Sequence, residues 1–572
     1  MIAHSSPISG VACAPGWIAT AGYDNQVILW QDVTPPRALY RASHDHLANQ
    51  CAFSPDGSLL VTASSDYSAR IWSVPELRLR SVLGPHDDDV EMAVFDPAGT
   101  RVATASRDHR VRVFDLDGRL LTTCTGHTAD VISVEWSADG TGLVSSSDDG
   151  TIKRWSLPDG RLIDEIDLCG VETDTVVLLP DGSVIAGNDD GALVVVDADG
   201  AQRRISAHRA GIKRLVLNGG RDLLVSLSYD RSARIWQLAD GELILQAETT
   251  FPDDVWPRSA AFADEHRLVF GTFGSTYRCF DLVGGTWDEA AAPTAGLNAV
   301  CADSPGAGLL TIGDAGRCQL RESAGALPRE QSHPGTLCNF LTRVGDTVVT
   351  GGQLGILYDA RTGRALHQHS SPLNCGAEYH RAGQQPWAVV GTYTGEGLVL
   401  RLAGGEAEAV HELRLFDNAV KGVAIDGDVL FAVCADTSAT WWDLAGLQPL
   451  RTVPAAHSRI ANGCFSLGGG VFASVGRDLA LRIWQPDGSV DLRETPHPNS
   501  IKCGAASPDG RWVATGGYHG LVAVLDLVTG TWSTSRPTTA GISSLTWHPA
   551  RGAFVASSYD GRLYEIAPAV AP

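Results

Sequence analysis

Three side chains that make a hydrolytic relay lie close together early in the chain. In SSDYSARIW, Ser64 to Trp72, a serine and an aspartate stand two residues apart, and His44 lies twenty residues upstream of the serine. A serine nucleophile, an imidazole base and an orienting carboxylate would perform acyl transfer beside a pocket with oxyanion donors. Buried and satisfied by one another, the same groups would be structural.

Repetition decides between the two. The stretch recurs as SRDHRVRVF (106–114), SDDGTIKRW (147–155), SYDRSARIW (228–236) and GRDLALRIW (476–484). In each copy an Asp precedes an aromatic residue by six positions: Asp66/Trp72, Asp108/Phe114, Asp149/Trp155, Asp230/Trp236 and Asp478/Trp484. A catalytic relay needs one copy, whereas a structural staple is needed in every repeat. Catalysis at these residues is therefore not expected.

The elements that position them are short alternating strands punctuated by Gly, Asp and Asn, which read as all-β. GHTADVISVEWSADG (126–140) supplies the front half of the repeat: a His, an apolar strand, a turn. With a period of about 40 residues, this pattern resembles the WD40 repeat over essentially the whole chain. Fourteen repeats are read, ending near Trp30, Trp72, Phe114, Trp155, Val196, Trp236, Phe280, Leu320, Tyr358, Leu400, Trp442, Trp484, Leu525 and Ile566. The resemblance implies two tandem seven-bladed β-propellers, residues 1–290 and 291–572, joined near GGTWDEAAAPTAG (284–296). A single ring of fourteen blades would leave a wide, unfilled centre.

The resemblance also implies a hydrogen-bonded tetrad in each blade. His44, Ser64, Asp66 and Trp72 match it, as do His127, Ser147, Asp149 and Trp155, and His208, Ser228, Asp230 and Trp236. His86, Ser106 and Asp108 match with Phe114 in place of Trp. Gly22, Gly476 and Gly517 stand where the serine would be, which reads as drift. The count of connecting segments predicts one three-stranded blade, left as such or completed by another chain.

Composition narrows the chemistry. The 572 residues are 44% hydrophobic and 19% charged, enough for large cores. A formal net charge of −22 argues against a general binder of phosphate backbones. Lysine occurs only at Lys153, Lys213, Lys421 and Lys502, a codon bias that points to a GC-rich, bacterial source. The 12 cysteines form no CxxC pair and read as buried reduced thiols, which fits a reducing cytosol. No basic leader and no apolar run of about 20 residues is present, so a cytoplasmic protein without a membrane partner is expected. HDH (44–46) and HQH (367–369) lack further ligands at metal spacing and read as surface loops, so neither metal nor cofactor is expected. SSDDGTIKRW resembles the Asp box of sialidase propellers, but the WD40 register accounts for every residue of it.

Function is expected on the top face, where propellers of this family commonly dock partners. Three positions per blade point there: the residue before the structural Asp, and those three and five beyond the His. In the first propeller they give Tyr23, Arg107, Asp130, Asp148, Glu172, Asp174, Asp189, Lys213, Tyr229, Trp256, Arg258 and Phe273, with Asp87, Asp88, Asp89 and Glu91 enlarging an acidic sector. In the second they give Tyr393, Lys421, Arg477, Lys502, Tyr518 and Tyr559. Tyr and Arg carry much of the energy of protein interfaces. The expectation is a non-catalytic scaffold or sensor that binds protein or peptide partners, a separate effector or enzyme subunit among them, in a bacterial signalling or defence complex. The first propeller would suit a basic segment and the second an acidic one. Two alternatives remain: an enzyme at a propeller mouth, like lactonases or quinoproteins, and a nucleic-acid-binding adaptor.

Overall fold

The structure, a computed structural model, describes residues 2–4, 6–239, 241–274, 276–289, 296–303, 308–313, 316–380, 385–403 and 406–568. Its regular elements are strands throughout, as expected. They form thirteen four-stranded sheets and one three-stranded sheet, all antiparallel, numbered here 1–14 in chain order. Sheet 1 comprises β1 (Ile8–Ala14), β2 (Trp17–Gly22), β3 (Gln26–Gln31) and β4 (Arg37–Ser43). Sheet 2 repeats it with β5 (Ala48–Phe53), β6 (Leu59–Ser64), β7 (Ala69–Ser73) and β8 (Leu79–Leu83). The three-stranded sheet is the last, Ile542–His548, Ala553–Ser558 and Leu563–Ile566.

The chain divides into two compact units, Met1–Thr294 and Ala295–Pro572. The segment 290–295, where the sequence suggests a junction, lies outside the described residues. In each unit the first strand of every sheet packs on the first strand of the next, and the seventh packs on the first. Each unit is thus a closed ring of seven sheets. Closure buries strand edges at the centre and leaves the fourth strands outermost.

Cores lie between neighbouring sheets. Leu59, Val61 and Ile71 of sheet 2 interleave with Val90, Val102 and Phe114 of sheet 3. The first ring closes where Ile8, Ile18 and Trp30 meet Val269 and Tyr277. The second closes where Leu297 and Leu309 meet Val555 and Leu563. Second strands such as β6 are buried on both faces, whereas outer strands such as β4 are exposed or half-buried along their length.

The relay residues are structural, but one member differs from the sequence reading. His44 Nδ1 meets Asp66 at 2.9 Å, while its Nε2 meets Thr62 Oγ1 at 2.7 Å, and Trp72 Nε1 donates to the same oxygen at 2.8 Å. The hydroxyl of the tetrad is therefore Thr62, not Ser64. Ser64 accepts from Asp66 N at 3.0 Å at the edge of the turn, out of the indole's reach. The same two-residue correction moves the role from Ser147 to Ser145 and from Ser228 to Ser226. In sheet 3 it moves from Ser106 to Thr104; there His86 Nδ1 turns to Tyr67 O and Arg112 takes up Asp108 at 2.6 Å. The reason is geometric: Trp72 pairs with Leu60 across the strands, so its ring covers Thr62, one pleat further from the turn than the reading supposed.

With that register the apparent drift at the glycines disappears. Sheet 1 has a complete relay through His4, Asp24, Thr20 and Trp30. Sheet 12 has one through His457, Asp478, Ser474 and Trp484. In sheet 13 His497 still meets Thr515 at 2.9 Å.

Candidate functional site

Two repeated local features bring the predicted residues together. The first is a backbone hydrogen bond from the residue before the structural Asp to the loop entering the first strand: Arg107 N to Asp89 O, Asp148 N to Asp130 O, Asp189 N to Glu172 O, Phe273 N to Asp254 O, each 2.9–3.0 Å. It ties two loops of each sheet into one surface. The second is a bulge one residue into the first strand. In the second ring it falls on Asn298, Asn339, Asn374, Lys421, Asn462, Lys502 and Ser543. In the first it falls on Ser9, Asn49, Glu91, Ile132 and Lys213, and widens to 256–259 in sheet 7. A bulge leaves one residue out of the ladder and re-aims its side chain, here at the mouth of the ring.

Most bulge residues with an amide use it to reach the next sheet. Asn49 donates to Val90 O at 2.9 Å, Asn298 to Cys338 O, Asn339 to Leu373 O, Asn374 to Val420 O and Asn462 to Ile501 O, at 2.7–3.0 Å. Sequence reasoning missed this belt, although an Asn five residues beyond His44 and His457 signals it. Where Glu91, Lys213, Lys421 and Lys502 replace the amide, the position carries charge instead.

At the mouth of the first ring those charges form one network. Arg107 pairs with Glu91 and, at 2.7 Å, with Asp130. Arg258 reaches Glu91 at 3.5 Å. Lys213 pairs with both Asp174 and Asp189 and lies 5.2 Å from the ring centre of Tyr229. Trp256 packs edge-on against Tyr23 at 5.1 Å and lies tilted by 33° against Phe273 at 6.1 Å, with Arg258 over its face at 5.8 Å. Tyr229, Trp256 and Phe273 are 8%, 6% and 1% exposed, so they back the charged groups and do not form an open aromatic patch. Asp87, by contrast, points outward to Arg110 at 2.7 Å and takes no part.

Carboxylates outnumber cations here. Glu91, Asp130, Asp148, Glu172, Asp174 and Asp189 face Arg107, Lys213 and Arg258. Burial, with the charges of Glu172, Asp130 and Asp174, pushes the Asp148 carboxyl well above the usual range. Burial and Asp174 push Asp189 up to about 6, against the pull of Lys213. Burial opposes the charges on Lys213 and Arg107, yet the surrounding carboxylates outweigh it and hold both above their ordinary values. Among the described residues, no group of three or more His, Cys, Asp or Glu has the arrangement to hold a metal ion.

The second ring differs. Lys421 lies 5.1 Å from the ring centre of Tyr393, and Tyr518 stacks on Tyr559 at 6.4 Å with their planes 12° apart. Lys421, Arg477 and Lys502 occupy consecutive sheets, and all three are half-buried. Lys153, the fourth lysine, is 3% exposed and paired with Glu165 within its own sheet.

Comparison with known proteins agrees with this geometry. The family model described as WD domain, G-beta repeat matches residues 38–73, 77–115, 118–156 and 491–526. A transcriptional corepressor of Arabidopsis thaliana, LEUNIG_HOMOLOG, is 26% identical over 266 residues, covering 38% of this chain and 33% of the relative. An uncharacterized WD repeat-containing protein of Synechocystis is 31% identical over 221 residues, covering 38% of this chain and 65% of the relative. HIR1 of Cryptococcus neoformans is 30% identical over 229 residues, covering 36% and 22%. The chain spans less than two thirds of the length of each of these relatives. The matched repeats, the relatives named for them and the recurring His–hydroxyl–Trp–Asp staple point one way: the chain carries WD40 repeats.

Proposed function

We propose that each ring is a seven-bladed propeller, residues 1–290 and 291–572, and that the chain is a non-catalytic interaction module. Its first ring takes a Lys- or Arg-bearing segment of a protein partner at the acidic mouth. Its second ring takes an acidic segment over Lys421, Arg477 and Lys502. The general role is supported by likeness to WD-repeat proteins, one of them named a corepressor. Fold alone does not fix function, so the weight falls on one observation: the mouth of the first ring gathers Glu91, Asp130, Asp174 and Asp189 around only Arg107, Lys213 and Arg258, and burial together with the neighbouring carboxylates raises Asp148. A partner cation between Asp148, Glu172 and Asp130 relieves that repulsion, and the raised groups then ionise. The setting we infer is the bacterial cytoplasm, with a separate effector or enzyme subunit in a signalling or defence complex.

An array of short peptides probed with the full chain tests the reading. Bound peptides should fall into a basic and an acidic class. The basic class should be lost in Asp148→Asn/Glu172→Gln and weakened by salt. The acidic class should be lost on charge reversal at Lys421, Arg477 and Lys502. Binders of neither class, or basic binders indifferent to the acidic pair, would sink the proposal.

A further inference from the structure

Among the described residues, sheet 14 alone has three strands. In complete sheets the carbonyl just after the structural Asp accepts an amide at the far end of a fourth strand. Asn25 O takes His44 N, Tyr67 O takes His86 N, and Arg231 O takes Phe251 N, at 2.8–3.2 Å. In sheet 14 that carbonyl belongs to Gly561, and the donor the described residues supply is Arg321 Nη2 of sheet 8, at 3.4 Å. Ser558 N donates to Arg562 O, so the alternation of an antiparallel ladder turns the backbone groups of Leu563 and Glu565 outward. Leu563–Ile566 is therefore an edge open to pairing.

A fourth strand touches the turn that follows the third strand of the next sheet. Ser81 of β8 donates to Leu116 O of sheet 3, Thr122 to Pro158 O of sheet 4, and Ser332 to Ala360 O of sheet 9. The corresponding turn beside sheet 14 is 322–328 of sheet 8, since ring closure brings those two sheets together. Ala324 of that turn packs on the core that Val555 and Leu563 share with Leu297 and Leu309. Leu327 in the same turn is 92% exposed, the most exposed large hydrophobic side chain among the described residues. Arg321, just before the turn, is half-buried, and among the described residues no carboxylate lies within ion-pair distance of it. Its guanidinium meets the neutral oxygens of Gln319 and Gly561, each at 3.4 Å. The open edge is thus bordered by an uncovered leucine and by a cation that has neutral acceptors in place of a counter-charge.

We propose that this edge takes an extended segment of a partner protein as the fourth strand of sheet 14, and that the segment carries an apolar side chain followed by a carboxylate. The complete sheets identify the apolar position. Ala69, Val111 and Ile152 are the counterparts of Leu563, and opposite them stand Leu83, Cys124 and Ile166, all buried. Beyond Ile166 the chain runs on until Leu168 N reaches Gly150 O, the counterpart of Gly561 O. The C-terminal end of a docked segment therefore arrives at Gly561 and meets Arg321 there. A carboxylate at that end replaces neutral acceptors on the guanidinium with a charge-assisted pair. Main-chain pairing along the edge supplies affinity, and the apolar and acidic side chains supply selectivity. The mouth of the second ring takes no part, so this reading and the site over Lys421 fail separately.

The probe is a synthetic peptide of a fourth strand from this chain, Arg161–Leu168, in which Ile166 is the apolar residue and Asp167 the carboxylate. Labelled peptide is titrated against the full chain by fluorescence polarisation, and hydrogen exchange reads Leu563–Ile566. Binding should saturate and slow exchange at Leu563 and Glu565. Asp167→Asn in the peptide and Arg321→Met in the chain should each weaken binding roughly tenfold or more, the range of a hydrogen-bonded charge contact. Together they should cost no more than either alone, because they remove the same contact. Glu565→Pro removes an outward N–H at an edge position, where proline is tolerated; it should abolish binding and leave the melting temperature close to that of the unaltered chain. Charge reversal at Lys421, Arg477 and Lys502 should leave peptide binding unchanged. A folded chain that does not bind the peptide would overturn the proposal, as would binding indifferent to Arg321. Slow exchange at Leu563 and Glu565 without peptide, or a concentration-dependent dimer lost in Glu565→Pro, would sink it equally, since the edge would then be filled by this chain or by a second copy.

Discussion

Thr62→Val tests the corrected relay most directly. The substitution keeps the shape of a branched side chain and removes only the hydroxyl. With His44 Nδ1 donating to Asp66, its Nε2 is the acceptor, so the order of donation is Trp72 to Thr62, Thr62 to His44, His44 to Asp66. Deleting the middle oxygen leaves a buried indole N–H without an acceptor and a buried ring nitrogen without a donor. Each unsatisfied group costs about 1–3 kcal/mol, so the variant should lose about 2–6 kcal/mol. Ser64→Ala removes one contact to Asp66 N at 3.0 Å and a longer one to His46 O at 3.4 Å, worth about 1 kcal/mol. Hydrogen exchange at β6 and β7, read by mass spectrometry in the full chain, reports the local opening free energy. Ser145→Ala against Ser147→Ala repeats the comparison in sheet 4, where Ser145 meets His127 and Trp155, each at 2.8 Å. If Ser64→Ala opens sheet 2 as much as Thr62→Val does, the assignment of the hydroxyl is wrong.

Three other outcomes follow from the geometry. Asp148→Asn should raise the melting temperature at neutral pH, because a carboxyl whose folded-state pKa is raised destabilises the fold once ionised; the gain should vanish below about pH 4, where the unfolded carboxyl is protonated too, and a drop in melting temperature at pH 7 would contradict the repulsion. Burial lowers His497 from 6.5 to about 4, so its contribution is whole above pH 6.5 and is lost as pH falls toward 4. The loss amounts to about 3 kcal/mol at 1.36 kcal/mol per unit, and denaturation midpoints across that window should flatten in His497→Gln. Asn374→Ala, which removes the 2.7 Å bond to Val420 O, should cost about 1 kcal/mol. That loss should appear as faster exchange along Leu373–Tyr379 and Val420–Asp426 with no effect in the first ring.

Much of the fold is legible in the chain because the six-residue step from Asp to aromatic is set by one turn and one strand. Asp66 and Trp72 lie within that span, and nothing distant has to be known to place them. The hydroxyl is harder, since Thr62 and Ser64 are two residues apart and share a face of β6. Alternation cannot separate them; only the reach of Trp72 across from Leu60 can. The charged residues at the mouth were findable by register, because the turn before each structural Asp repeats. Their partners were not, since Glu91 to Arg258 or Lys213 to Asp174 depends on how sheets meet around the ring.

The belt of asparagines works like the hoop of a cask, and it is interrupted. In the first ring Ser9 and Asn49 bind sheets 1, 2 and 3 together. The hoop then stops where Glu91, Ile132 and Lys213 take the bulge. In the second ring it runs from sheet 8 to sheet 11 and from sheet 12 to sheet 13, with gaps at Lys421, at Lys502 and at Ser543, whose hydroxyl meets Ser557 of its own sheet. A closed ring under load parts first at an unhooped joint. New termini made by circular permutation should therefore be tolerated best at these gaps, and anything seated across one becomes the missing stave-band.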